Sequence, residues 1–257
     1  MSHKRSEIRI TGAVWLCLLV LWILVTNTGL VSSILIPSPQ AVWQTFVGVL
    51  IHGYNGIPFW QHLGITLWRL FAALLLAILT AVPIGLGSGV SPKIYAAVDS
   101  LIQFYRPIPP LAYYTLLILW FGIGEGSKIL LLYLAAFAPI YLACVEGVHH
   151  LNNEYLLSAR SLGAGKWTTF RYVTLPGALP DIFTGIRTAM GVSFSTLVAA
   201  EMVAATSGIG WMVIDASKYL KSSVMFLGIF ILGGLGLLLD WFLRVLERHI
   251  VFWKGHE

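Results

Sequence analysis

Residues 157–176 read LSARSLGAGKWTTFRYVTLP, the longest polar interval between two strongly apolar regions of a 257-residue chain. The interval carries Arg160, Lys166 and Arg171 and no acidic residue. From Tyr155 to Leu162 helix formers run without a breaker, which predicts a short helix. Gly163 and Gly165 then punctuate it, because glycine turns the chain where other residues would be strained. A second short helix is expected through Lys166 to Val173, ending before Pro176, which disfavours the helical region at Leu175. Two short helices joined by a glycine elbow make a compact knob between apolar spans.

What flanks the knob decides the fold class. Hydrophobic residues make up 58% of the chain and charged residues 11%, against roughly 45–50% and about 25% in soluble domains. Mean hydropathy is +0.83. This is an all-α polytopic membrane protein. The formal charge of +5 reports basic cytoplasmic loops rather than a nucleic-acid partner. Cys17 and Cys144 fall in separate apolar runs, without disulfide or zinc spacing. Lys4, Arg5 and Arg9 precede an apolar run as in a signal peptide, but no small-residue cleavage site follows, so the run is read as a retained first span.

A bilayer core needs about 20 apolar residues per helix. Six stretches meet or approach that: Gly12 to Thr28, Leu63 to Val90, Val98 to Phe121, Ser127 to Gly147, Ile182 to Ala205, and Val224 to Leu246. Lys4, Arg5 and Arg9 place the N-terminus in the cytoplasm, and Arg244, Arg248 and Lys254 do the same for the C-terminus. Gly29 to His62 has no Lys or Arg and belongs outside. Lys218 and Lys221, in an outside loop, fit this scheme least well. Within the outer interval, Ala41 to His52 carries Val42, Phe46, Val49 and Leu50 at helical spacing, with Trp43 nearby. It reads as a helix lying on the outer leaflet or as an ordinary packed loop helix. Gly85 and Gly89, one turn apart, invite close approach of another helix.

Two intramembrane charges stand out. Arg106 opens Arg106-Pro107-Ile108-Pro109-Pro110, and three prolines in that run cannot continue a regular helix. Broken backbone at membrane depth is tolerated only inside protein or beside water. Arg106 therefore either lines a translocation route or caps the carbonyls freed by the prolines. Glu201 needs a partner or a wet cavity. It can pair with Arg106 or another base, or act at a gate. Asp240 and Glu146 lie nearer the interfaces and say less.

Gly163-Ala164-Gly165-Lys166 invites a phosphate-loop reading, which fails because Arg160 stands where the first Gly should be and Trp167 where Ser or Thr should be. No metalloprotease or serine-hydrolase signature is present. The adjacent His149 and His150 point in different directions on a helix and make a poor metal pair. The chain shows no nucleotide site of its own.

The spacing of Ala159, Gly163, Val173, Leu175 and Pro176 resembles the cytoplasmic loop by which membrane subunits of bacterial ABC importers meet their ATPases. Leu157 and Ser158 depart from it, standing where Glu and the first Ala would be, and Glu154 lies one turn earlier as a substitute acid. Pro37-Ser38-Pro39, His62-Leu63 with Thr66-Leu67-Trp68-Arg69, and Trp120-Phe121-Gly122-Ile123-Gly124 resemble the nitrate, sulfonate and taurine branch of these permeases. Tyr105 to Ala112 and Ser195 to Glu201 are most similar to its taurine permeases. The resemblance implies a type I importer permease of one domain over 1–257, with a coupling loop at about 150–178 and no catalysis of its own. It implies a second copy of the chain, two ATP-binding cassette subunits holding ATP and magnesium, an external solute-binding protein, and a bacterial inner membrane with both termini cytoplasmic. The expected cargo is a small sulfonate, taurine first, with another alkanesulfonate, nitrate or a similar small anion as the alternative and a secondary transporter behind those. Coupling is expected at Glu154, Ser158, Ala159, Arg160, Gly163, Ala164, Gly165 and Lys166. The pathway is expected along Arg106, Pro107, Pro109, Pro110, Thr196 and Glu201.

Overall fold

Apolar runs of membrane length satisfy their backbone only by closing hydrogen bonds within themselves, and the described chain is helical almost throughout. The structure is a computed structural model that describes residues 2–29 and 31–253, with side chains from residue 10 onward. Lys254 lies outside the described residues, as do the side chains of Lys4, Arg5 and Arg9. The helices are α1 (Ser2–Asn27), α2 (Pro39–His52), α3 (Phe59–Val90), α4 (Pro92–Tyr105), α5 (Pro110–Phe121), α6 (Glu125–His149), α7 (Asn153–Ser161), α8 (Lys166–Thr169), α9 (Leu175–Ala204), α10 (Ile209–Lys218) and α11 (Ser222–Ile250).

Among the described residues five helical stretches are long and apolar enough to cross a membrane: Ile10–Asn27, Phe59–Val90, Glu125–His149, Lys166–Ala204 and Ser222–Ile250. The expected span from Val98 to Phe121 is two helices instead, α4 and α5. Pro107, Pro109 and Pro110 lack the donors a continuous helix would need. Ile108 N–H turns back to Tyr105 O at 3.0 Å, and α5 restarts with Pro110 in its first turn.

A second expectation fails at Pro176. The helix begun at Lys166 does not stop there but passes through a π-helical turn, Phe170–Thr174, into α9. Leu175 N–H bonds Phe170 O, five residues back. The widened turn carries the chain past the donor that Pro176 lacks.

The chain forms two compact units, residues 1–64 with 206–233, and residues 65–205 with 234–257. In the first unit, Ser38 caps α2 by accepting the Ala41 N–H at 3.2 Å, with Pro39 in the first turn. Val42 and Val49 of α2 are buried against Phe59, Ile209, Met212 and Leu227, whereas Trp43 and Ile51 stay exposed. The helix is thus packed on one face, as the packed-helix reading expects, and keeps apolar side chains exposed on the other. Trp22 of α1 packs on Phe226 and Phe230 of α11 and donates through Nε1 to Pro37 O at 3.0 Å.

In the second unit α3, α6 and α9 make the core. Buried Ala73, Ala77, Ala81 and Gly85 recur at every fourth position of α3, one narrow stripe that lets α6 approach. A Cβ on Gly85 would lie 2.6 Å from Cys144 Cβ and 2.9 Å from Tyr141 O. The same device seats α9, where a Cβ on Gly185 would run into Ala143 Cβ. Leu75, Leu79, Leu237 and Leu238 are exposed large apolar side chains, suited to lipid or another protein surface.

Candidate functional site

The knob is built by caps at both ends of α7. Asn152 Oδ1 accepts the Glu154 N–H at 2.9 Å, and Glu154 itself sits in the first turn, where a carboxylate meets the positive end of the helix dipole. At the other end Ala164 N–H reaches Ala159 O at 3.0 Å and Gly163 N–H reaches Arg160 O at 2.9 Å. This pair of bonds is a Schellman motif, which needs the left-handed conformation that Gly163 adopts at φ +82°. Gly163 is held by conformation, since nothing lies within 4 Å of a Cβ placed on it.

Hollows flank the knob. Arg160, Ala164, Gly165 and Lys166 line one of about 810 Å³ together with Gly89 and His149. Ser158 and Ala159 line another of about 900 Å³ with His150, Asp181 and Pro176. Glu154 lines neither. The knob also exposes Leu157 and Trp167, together with Leu162 and Tyr172 of the second hollow, an apolar set that suits a protein partner.

The expected pathway residues divide. Arg106 and Pro110 line a half-open cavity of about 490 Å³ bounded by the end of α4, α5, α6 and α9. Pro107 and Pro109 are exposed and lie outside its lining. Thr196 is buried, its hydroxyl donating to Val192 O of its own helix at 2.8 Å. Glu201 is fully buried and its base is Arg69, not Arg106.

Arg69 ties three helices. Its Nε and Nη2 donate to the two Glu125 oxygens at 2.6 and 2.7 Å, and Nη1 donates to Glu201 Oε1 at 2.8 Å. Thr66 Oγ1 adds a bond to Glu201 Oε1 at 2.9 Å. Lys128 lies 3.7 Å from Glu125 Oε1 and donates to Gly124 O at 3.0 Å. Two bases and two acids cancel, which is how charge is carried inside an apolar bundle. A second group joins Arg187 of α9 to Asp240 of α11 at 3.2 Å, with Arg244 2.6 Å from Asp240.

The first unit holds a polar cluster that sequence reading missed. Tyr54 and Asn55 donate to Asp215 Oδ2 at 3.0 and 2.6 Å, and Lys221 lies 5.5 Å above the Tyr54 ring. Lys221 and its neighbour Lys218, the awkward charges of the 206–223 loop, thus belong to a segment whose Lys221 faces an aromatic surface. Burial and then the Asp215 carboxylate push the Tyr54 phenol well above its usual value. His62 accepts the Gly208 N–H at Nδ1, 3.1 Å, and faces Tyr54 O through Nε2, 3.4 Å, so the proton sits on Nε2. Signals for Arg69 were available: an Arg in an apolar run, with Thr66 three residues before it on the same face. Its acidic partners lie far along the chain and had no such signal.

Residues 73–252 match the family described as "Binding-protein-dependent transport system inner membrane component". The taurine transport system permease protein TauC of Escherichia coli K12 is 42% identical over 93% of this chain and 87% of its own length. The putative aliphatic sulfonates transport permease protein SsuC of Bacillus subtilis 168 is 34% identical over 93% and 85%. A chain of the MetNI methionine ABC transporter, solved in inward-facing conformations, matches with a TM-score of 0.67 at 17% identity, covering 80% of this chain and 98% of that one. That likeness shows the fold, a type I ABC importer permease. These relatives are permease subunits, which are not enzymes themselves.

Proposed function

The chain belongs to the binding-protein-dependent transport system inner membrane components, and from that membership we propose that it forms the membrane route of an ATP-driven importer of small sulfonates, taurine first. What carries the reading is its likeness to the taurine permease along nearly the whole chain. A bicarbonate transport permease from Synechocystis is also similar, at 29% identity, so a simple small anion is the second reading.

In this proposal residues 1–257 act as one permease domain, both termini are cytoplasmic, and two copies meet around the pathway. Two ATPase subunits, holding ATP and magnesium, dock on the knob at Glu154 to Lys166. Their closure moves α7 and α8, and the unbroken helix from Lys166 to Ala204 supports the transmission because a continuous rod carries displacement into the bundle. Arg106, with Pro107, Pro109 and Pro110 breaking the helix beside it, meets the anionic head of the cargo. A guanidinium offers up to five donors in a fixed fork suited to oxyanions. Thr196 and Glu201 support the route from within the packed bundle.

The experiment is reconstitution of the complex with its ATPase and binding protein in vesicles. ATP-dependent uptake of labelled taurine, exceeding that of nitrate and bicarbonate, is expected. Uptake driven by an ion gradient without the ATPase would overturn the importer reading. Uptake of bicarbonate alone would replace the cargo.

A further inference from the structure

Arg106 does not stand alone in its cavity. Glu146 of α6, dismissed in the sequence as close to an interface, lines the same space. Arg106 and Glu146 are the two charged residues in that lining. Both are exposed, and neither side chain has an ion-pair or hydrogen-bond partner among the described residues. Arg69, Glu125, Glu201, Arg187 and Asp240 of the same unit are all paired. One base and one acid are thus left unpaired on a single hollow.

The neutral polar groups around them are sorted as well. Thr184 and Thr188 line the cavity, and each spends its hydroxyl proton on its own helix, on Pro180 O and Thr184 O at 3.0 Å. What those oxygens have left is acceptor capacity. Ala135 lines the cavity too, and its carbonyl loses its helical donor to Pro139. Along the same lining, then, α6 and α9 add acceptors to the Glu146 carboxylate, suited to an ammonium. Arg106 contributes the donor fork.

We propose that this cavity is a zwitterion subsite: Arg106 receives the sulfonate of an aminosulfonate and Glu146, with the acceptors of the same lining, receives the ammonium. The proposal rests on the importer reading and adds a selectivity residue to the permease itself. A simple anion such as an alkanesulfonate, nitrate or bicarbonate has no cation for Glu146, whose carboxylate repels it. Discrimination therefore does not end at the binding protein. Both charges stay exposed, so binding is weak, as release requires.

The test uses the permease–ATPase complex in lipid nanodiscs without binding protein, probed by saturation-transfer NMR with taurine and with ethanesulfonate, which lacks the amine. Taurine should show the stronger transfer. Glu146→Gln should lower the taurine signal about tenfold, the loss expected for one charge-assisted contact, and leave ethanesulfonate unchanged or stronger. Arg106→Gln should lower both. If Glu146→Gln fails to assemble, Glu146→Asp keeps the charge and should weaken taurine alone, by a smaller factor. Equal signals for the two probes in the wild type, or a taurine signal indifferent to Glu146, would overturn the subsite. ATP-driven taurine uptake alongside such a result would leave the importer reading standing, whereas absence of that uptake tells against the importer reading itself.

Discussion

Arg69 Nη1 lies 2.8 Å from Glu201 Oε1, and the two side chains expose 1% and 0% of their surface. The pair joins α3 to α9 and, through the bidentate contact with Glu125, to the start of α6. Burying both charges is costly, and their mutual attraction, the Glu125 contact of Arg69 and the Thr66 bond help offset it.

Removing one partner should therefore hurt more than removing both. Arg69→Met leaves Glu201 buried without its base and is expected to cost about 3–5 kcal/mol. Arg69→Met with Glu201→Met should recover most of that loss. Thermal unfolding of the purified protein in nanodiscs, run as a double-mutant cycle, measures the coupling. Additive losses would show that the pair does not hold the helices together.

Gly163 is a conformational requirement rather than a steric one. With φ at +82° and open space around it, Gly163→Ala should cost about 1 kcal/mol, and Gly163→Asn less because Asn tolerates the left-handed region. Gly163→Trp starts from open space around Cβ and lies in the knob rather than in an apolar span, so membrane insertion should survive while uptake falls. Uptake measured beside ATPase co-purification checks it, and normal uptake would remove the elbow from the coupling route.

Two glycine-to-alanine changes should have opposite signs. At Gly85 the new methyl would sit 2.6 Å from Cys144 Cβ, and overpacking of this kind costs about 1–3 kcal/mol. At Gly48, in the middle of α2, nothing lies within 4 Å, so alanine should stabilise the helix by about 0.5–1 kcal/mol. Denaturation midpoints of the two variants decide this. A Gly85→Ala protein as stable as wild type would mean the two helices are not in backbone contact.

The proposed topology puts Asn55 outside and Lys166 inside. In a background lacking Cys17 and Cys144, cysteine at 55 should react with an impermeant thiol reagent in intact cells, and cysteine at 166 only after permeabilisation. Asn55 holds Asp215 at 2.6 Å, so its replacement should also loosen that loop slightly, by about 1 kcal/mol. Equal labelling of both sites would refute the arrangement.

The sequence by itself determined that this chain is helical and membrane-spanning, because apolar length and charge scarcity act residue by residue and need no partner. It located the knob and the break at Pro107 to Pro110 for the same reason: glycine and proline constrain the backbone where they stand. It placed Gly85 in a close helix contact, though the opposing residue, Cys144, was not legible. Only the tertiary structure decided which charges meet. Arg69 and Glu201 are 132 positions apart, and no periodicity links residues across that distance. Arg106 and Glu146 share a cavity because α5 and α6 fold back on one another. The passage through Pro176 was likewise a matter of context. The local preference was to stop, and the π turn let packing of the continuing helix override it, since burial along α9 outweighs the loss of one backbone bond.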